Sequence, residues 1–155
     1  MNKFKNLIAG EWVDSSSGET FENRNPANYD EVLGTFPMST AADVERAIEA
    51  ANEAKRGWAD MPAPARGAIL DKASRVIEDR MDEFAEALTR EEGKTFAEAK
   101  GEVTRARDIF RYYGGEGWRA GGQTIPSNTP GELLYTRREP LGVIALVTPW
   151  NFPVA

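Results

Sequence analysis

The sequence contains no cysteine and no histidine. That excludes disulfides, thiolate nucleophiles, imidazole bases and the usual zinc ligands together. A catalyst built from these residues alone would have to use carboxylates, Lys, Tyr, Ser or Thr. Long apolar runs are missing too, and none approaches the ~20 residues of a membrane span. Near the amino end Leu7-Ile8-Ala9 gives way at once to Gly10 and Glu11, which is not the h-region of a secretory signal. Positive charge is scarce: 19 Lys and Arg against 25 Asp and Glu give a net charge of -6, the wrong sign for a nucleic-acid footprint. The expectation is a cytoplasmic protein with neither nucleic-acid nor membrane partners. What is present, 41% hydrophobic and 28% charged residues over 155 positions, suits one folded domain rather than a disordered chain.

Three zones differ in pattern. From Met1 to Met38, Leu7-Ile8 and Glu11-Trp12-Val13 flank Ala9-Gly10 as a short hairpin. Residues 14–19 read as a loop and Thr20 to Asn23 as a strand. Asn25-Pro26-Ala27-Asn28 is turn chemistry, and Glu31 to Phe36 a further strand. From Ser39 to Ala120 the pattern is helical. Thr40 with Asp43 forms a capping box, and Val44, Ala47, Ile48 and Ala51 recur at helical spacing up to Trp58. After Pro62 and Pro64, one apolar stripe runs through Ile69, Leu70, Ala73, Val76, Ile77, Met81, Phe84 and Leu88 to Gly93, a good carboxyl-terminal cap. Thr95 with Glu98 is a second capping box. It opens a helix whose Phe96, Ala99, Val103, Ala106, Phe110 and Tyr113 make a core-facing seam.

The third zone, Gly121 to Ala155, changes period again. Thr129-Pro130-Gly131 is a turn, and Glu132 to Glu139 alternates as a strand. Val143-Ile144-Ala145-Leu146-Val147 is a continuous apolar run, the mark of a strand buried on both faces of a parallel sheet. Such a strand needs neighbours brought in through crossovers. Its position near the end of the sequence leads us to expect a fold that continues beyond it.

Two motifs fail on context. Gly115-Glu116-Gly117-Trp118-Arg119-Ala120 fits the dinucleotide fingerprint, but it follows a helix instead of a strand. Gly93-Lys94-Thr95 resembles the end of a phosphate-binding loop, yet Leu88 stands where the first glycine belongs. The carboxylates Glu91, Glu92, Glu98 and Glu102 read as solvated helix faces rather than paired acids and bases. Tyr112, Tyr113 and Trp118 read as core or interface packing. One stretch stands apart, Thr148-Pro149-Trp150-Asn151-Phe152-Pro153 at the carboxyl end of the apolar run, where open α/β sheets bind ligands. Two prolines stiffen it, and a primary amide is a neutral donor suited to an oxyanion. The alternative is a rigid apolar turn in which Asn151 caps backbone.

The run Glu139 to Pro153 resembles the strand-and-loop signature of the aldehyde dehydrogenase superfamily, and the similarity extends along the chain. Asn6 to Val13 is similar to the family's opening hairpin, and Asn25-Pro26-Ala27 to its next landmark. Glu91-Glu92-Gly93-Lys94-Thr95 resembles its helix break, and Arg111-Tyr112-Tyr113-Gly114-Gly115 its long helix exit. The resemblance implies an α/β fold of which this would be the amino-terminal portion: small β-hairpins, a helical layer, an oligomerisation hairpin and the first strand of a Rossmann-like sheet. It divides the chain into 1–121 (cofactor-domain part), 122–140 (hairpin arm) and 141–155 (first sheet strand and active-site loop).

It also implies NAD or NADP as cofactor, an aldehyde substrate and a homo-oligomer. In the family a Cys attacks the aldehyde, and Asn151 matches the side-chain donor to the resulting oxyanion. Thr148, Pro149, Trp150 and Asn151 match the segment along which the cofactor lies. Phe152 matches a residue bordering the substrate tunnel, which Arg105 on the long helix is placed to face. The wording around Tyr112 to Gly117 and Val147 to Val154 is most similar to enzymes of acidic semialdehydes such as 2-oxoglutarate semialdehyde. The family's nucleophilic Cys, general-base Glu and glycine-rich cofactor loop lie further along and are not in this sequence. The chain alone is therefore expected to be inactive; the alternative is an assembly module that docks on full-length dehydrogenase subunits.

Overall fold

The structure, a computed structural model, describes residues 2–155. Strands β1 (Asn6–Ile8) and β2 (Glu11–Val13) form the first hairpin. Its two turn residues both have positive φ, Ala9 at 52° and Gly10 at 81°, the geometry whose twist matches the flanking strands. Strands β3 (Thr20–Asn25) and β4 (Asn28–Pro37) form the second, longer than the sequence pattern marks. Asn25 makes the turn itself: its Oδ1 accepts the Ala27 N–H at 2.9 Å. Phe36 of β4 stacks on Phe4 at 4.5 Å and on Phe21 at 5.9 Å, tying the amino terminus to this hairpin.

Four helices follow: α1 (Ala41–Asp60), α2 (Ala63–Asp79), α3 (Met81–Glu92) and α4 (Phe96–Glu116). The Thr40–Asp43 capping box forms and does more than cap. Asp43 is 2% exposed and accepts the N–H of Thr40 at 2.9 Å and that of Ser16 at 2.9 Å, fastening the loop after β2 to the start of α1. Hydrogen bonds from the Thr40 backbone lower the Asp43 pKa against the opposing pull of burial, and Ser16 adds to the effect.

The single stripe read from Ile69 to Leu88 is broken at Arg80, so two helices stand where the periodicity predicts one. Arg80 turns back to pair with Glu83 at 2.5 Å, while Asp82 and Glu83 give α3 an acidic first turn. The apolar spacing passes through the break in phase, so period alone hides it. Gly93 ends α3 at φ 77°, as expected of a left-handed cap. The α4 capping box is present, with Glu98 N–H donating to Thr95 Oγ1 at 3.3 Å and Thr95 N–H to Glu98 Oε2 at 3.1 Å.

The core is small and lies between α3 and α4: Ala85, Leu88, Ala99 and Val103, with Ile77, Met81 and Phe84 against it. Of the α4 seam, Ala99, Val103 and Ala106 are buried, whereas Phe96 and Tyr113 are exposed. Helix α2 meets α4 so closely at Gly67 that a Cβ there would lie 2.2 Å from the Gly114 carbonyl oxygen.

The last zone departs most from expectation. The predicted strand over residues 132–139 shrinks to β6 (Leu134–Tyr135), paired with β5 (Thr124–Ile125). Residues 143–147 belong to no strand and are not buried; Val147 is 94% exposed. A strand exists only through a neighbour's backbone, and no described residue supplies one to this run. Val44 and Ile48 of α1 are likewise exposed, beside a groove lined also by Leu7, Ile8, Val143 and Ile144. Tyr112, Tyr113 and Trp118 are exposed as well, so they do not serve as core in this chain. Among the described residues no helix is long and apolar enough to cross a membrane, and no acidic group is arranged to hold a metal.

Candidate functional site

The segment Thr148–Ala155 folds against the junction of α3 and α4, starting with a tight turn. Phe152 N–H donates to the Pro149 carbonyl at 3.2 Å, so Trp150 and Asn151 are its two central residues. Proline at the head of such a turn fixes its own φ and leaves the display of the next two side chains to the bend. Trp150 is 87% exposed, and the Asn151 side chain is exposed with no hydrogen-bond partner among the described residues. The reading in which Asn151 merely caps backbone is therefore not met; its carboxamide is free to meet a ligand.

The other candidates assemble around it. Asn151, Phe152 and Arg105 line one cleft with Lys94, Glu98, Gly101 and Glu102. Thr148, Pro149 and Phe152 line a second hollow that shares Arg105. Trp150 and Asn151 border a third, with Glu92 and Lys94. Arg105 makes no ion pair or hydrogen bond among the described residues. It stands one turn along α4 from Glu102, on the face that Glu98 begins. The structure thus gathers all six sequence-predicted site residues around adjoining hollows, with Trp150 and Arg105 in different ones that share Asn151.

The sequence reading missed what holds this surface together. Glu102, read from sequence as part of a solvated face, is 2% exposed, and the Glu92 side chain is 9% exposed; only Glu91 and Glu98 of that group face solvent. Gly93 reverses the chain after α3 and lets Lys94 turn inward, where its ammonium meets Glu102 Oε2 at 2.5 Å and Glu92 Oε2 at 2.6 Å. The same Nζ donates to the Asn151 carbonyl at 3.0 Å and lies 4.8 Å from the centre of the Phe152 ring. The other oxygen of Glu102 accepts the N–H groups of Val154 at 2.9 Å and Ala155 at 3.3 Å. A signal existed: Glu102 falls on the stripe of Ala99, Val103 and Ala106, where a charge is buried unless the helix turns away.

Burial works against the charged form of both groups, yet the contacts prevail. Desolvation opposes the Lys94 charge, but its hydrogen bond to Glu102 and the nearby Glu92 carboxylate hold its pKa above the ordinary lysine value. Desolvation likewise opposes the Glu102 carboxylate, and Lys94 with the two backbone N–H groups holds its pKa below the ordinary value. Near neutral pH the pair is ionised and neither member is poised for proton transfer. The chemistry available at this surface is a free amide donor, an unpaired guanidinium and an aromatic wall.

A sequence profile described as the aldehyde dehydrogenase family matches residues 12–155. Among curated proteins, the chain is 49% identical over 154 residues to an alpha-ketoglutaric semialdehyde dehydrogenase of Bacillus subtilis, covering 99% of this chain and 32% of that protein. It is 47% identical to an alpha-ketoglutarate semialdehyde dehydrogenase of Haloferax volcanii, covering 97% and 31%. Among solved structures, an E. coli NADP-dependent enzyme superposes with a TM-score of 0.94 at 38% identity, covering 98% of this chain and 31% of that one. The chain therefore spans about a third of the length of the proteins it matches, and the architecture expected from sequence is the one these structures share over that third.

Proposed function

The chain belongs to the aldehyde dehydrogenase family, and from that premise we propose that it supplies one wall of the active site of an NAD(P)-dependent semialdehyde dehydrogenase. The observation that carries the reading is the free Asn151 carboxamide beside Arg105 and Phe152 in one cleft. As a nucleophile adds to the aldehyde, its oxygen gains charge, and Asn151 donates an N–H to it without changing protonation state. Phe152 borders the carbon chain of the substrate. Arg105, without a counter-ion among the described residues, receives a carboxylate at the far end, which makes an acidic semialdehyde the substrate class. The names of the two curated relatives agree with that class.

The residues present fit one end of a dinucleotide. Thr148, Pro149 and Trp150 offer exposed backbone and an aromatic face, while the G-x-G-x-x-A stretch closes α4 and is no phosphate cradle. When bound, NAD or NADP would accept a hydride from the substrate carbon. Residues 1–121 belong to the cofactor-domain part, 122–140 to an arm for homo-oligomer assembly and 141–155 to the first sheet segment with the active-site loop.

The test has two arms. Purified residues 1–155, which contain no thiol, are expected to give no NAD(P)H from 2-oxoglutarate semialdehyde. The same residues replacing the matching third of the Bacillus subtilis relative are expected to give turnover. Turnover by the chain alone, or a folded chimaera without activity, defeats the reading.

A second reading is supported by the exposed β5–β6 hairpin with Leu133 and Tyr135: the chain docks on full-length dehydrogenase subunits through this arm. Co-elution with such a subunit in gel filtration is its expected result. Separate elution at micromolar concentration ends it.

A further inference from the structure

We infer that Lys94 and Glu102 are positioning residues, a buried ion pair that fastens the main chain of residues 151–155 to α4 and so fixes where the Asn151 carboxamide is displayed. The inference rests on the role given to Asn151 above and goes beyond it, since neither residue touches the reacting atoms.

The contacts divide in a way that stability alone does not require. A buried pair gives up the hydration of both charges, and apolar residues of similar volume often serve stability as well or better. Here the Glu102 side chain is fully buried and that of Lys94 is 15% exposed, so the penalty applies to both. Only one oxygen of Glu102 serves Lys94; the other takes the Val154 and Ala155 N–H groups. Lys94 in turn holds the Asn151 carbonyl and sits over the Phe152 ring. The pair thus holds four of the five residues from Asn151 to Ala155, Pro153 being the exception. Proline has no N–H to offer, and its fixed φ carries the chain from one grip to the next.

What the grip controls is equally specific. The Asn151 side chain has no partner among the described residues, so its direction follows from its own backbone. That backbone is held by the Pro149–Phe152 turn and by Lys94. A donor aimed at a developing oxyanion tolerates little displacement, and a shift of about 1 Å can cost ~100-fold in rate. Without the pair, the turn would survive but could swing about Pro149.

The experiment measures amide hydrogen exchange by NMR on the 155-residue chain. In Glu102→Gln the charge-assisted bonds become neutral ones, and exchange at Val154 and Ala155 is expected to rise about tenfold or more. Ala99, Val103 and Ala106 in the core of α4 should hold their protection. Lys94→Met should free Val154 and Ala155 in the same way and leave Phe152, held inside the turn, protected, whereas Lys94→Arg keeps a cation in reach and should restore most of the protection.

A merely structural role would not follow pH as this one does. The titratable groups facing Glu102 are Lys94 and Glu92 from the end of α3, and Glu98 and Arg105 along α4. Glu102 has a lowered folded pKa, so its contribution is present above the ordinary carboxylate pKa. It is lost as the pH falls through the lowered value, and the Val154 and Ala155 amide signals should shift over that acid window. Unchanged exchange at Val154 and Ala155 in both Glu102→Gln and Lys94→Met overturns the inference. So does an equal loss of protection along α4 in both variants, which would make the pair general fold support. Asn151→Ala should leave the exchange pattern intact, so failure of the oxyanion reading and failure of this one give different results.

Discussion

In the chimaera carrying residues 1–155, Asn151→Ala is expected to lower kcat by about 100- to 1000-fold, with KM for the semialdehyde changed little. The asymmetry follows from where the proposed role has the amide act. The ground-state carbonyl oxygen carries little charge and can find other donors, whereas the oxygen of the addition intermediate carries nearly a full one. An interaction strengthened only on the way to that intermediate lowers the barrier without tightening substrate binding. The carboxamide has no hydrogen bond to another described residue to give up, and Asn151 lines the cleft of Arg105 and Phe152. Asn151→Asp tests the sign of the field. A carboxylate there repels the developing charge and should be at least as damaging as Ala, although it preserves size. Activity within about tenfold of the parent in Asn151→Ala would remove this residue from the reaction.

The second large effect concerns the helical layer. A glycine within a helix is normally a weak point, and replacing it with Ala adds roughly 0.5 to 1 kcal/mol of stability. Gly57 in α1 fits that rule, since a Cβ there meets nothing within 4 Å. Gly67 in α2 reverses it. Its Cβ would lie 2.2 Å from the Gly114 carbonyl oxygen, which is backbone and cannot rotate aside without disturbing α4. Separating the helices costs about 1 to 3 kcal/mol by overpacking and loses contact along the interface. Gly67→Ala should therefore lower the melting temperature by about 4 to 8 °C, reading the net loss as about 2 kcal/mol. Gly57→Ala should raise it slightly. Circular dichroism melts of the two variants against the parent decide the matter; a Gly67→Ala chain as stable as the parent would show that α2 and α4 are not in contact there.

Local chemistry made much of this fold legible. The Ala9-Gly10 turn, the two capping boxes and the Gly93 cap each depend on residues within four positions, and each stands where the sequence places it. The break at Arg80 was hidden because the apolar phase runs straight through it. Residues 143–147 stand outside any strand here for the opposite reason. Their composition reports the environment that suits them, but pairing depends on backbone groups that no described residue brings to them. At the site, Thr148 to Phe152 could be singled out from residue types. The Lys94–Glu102 pair could not, because its meaning arises only when α3, α4 and the last five residues converge.

The Gly67–Gly114 contact has a mechanical consequence. With no side chain between the two backbones, α4 has a fixed bearing near its carboxyl end, and Glu102 lies twelve residues away, about 18 Å along the axis. A tilt of roughly 3° about that bearing would move Glu102 by about 1 Å. A displacement of the β5–β6 hairpin beyond the far end of α4 would thus arrive, lengthened by leverage, at the segment that carries the amide.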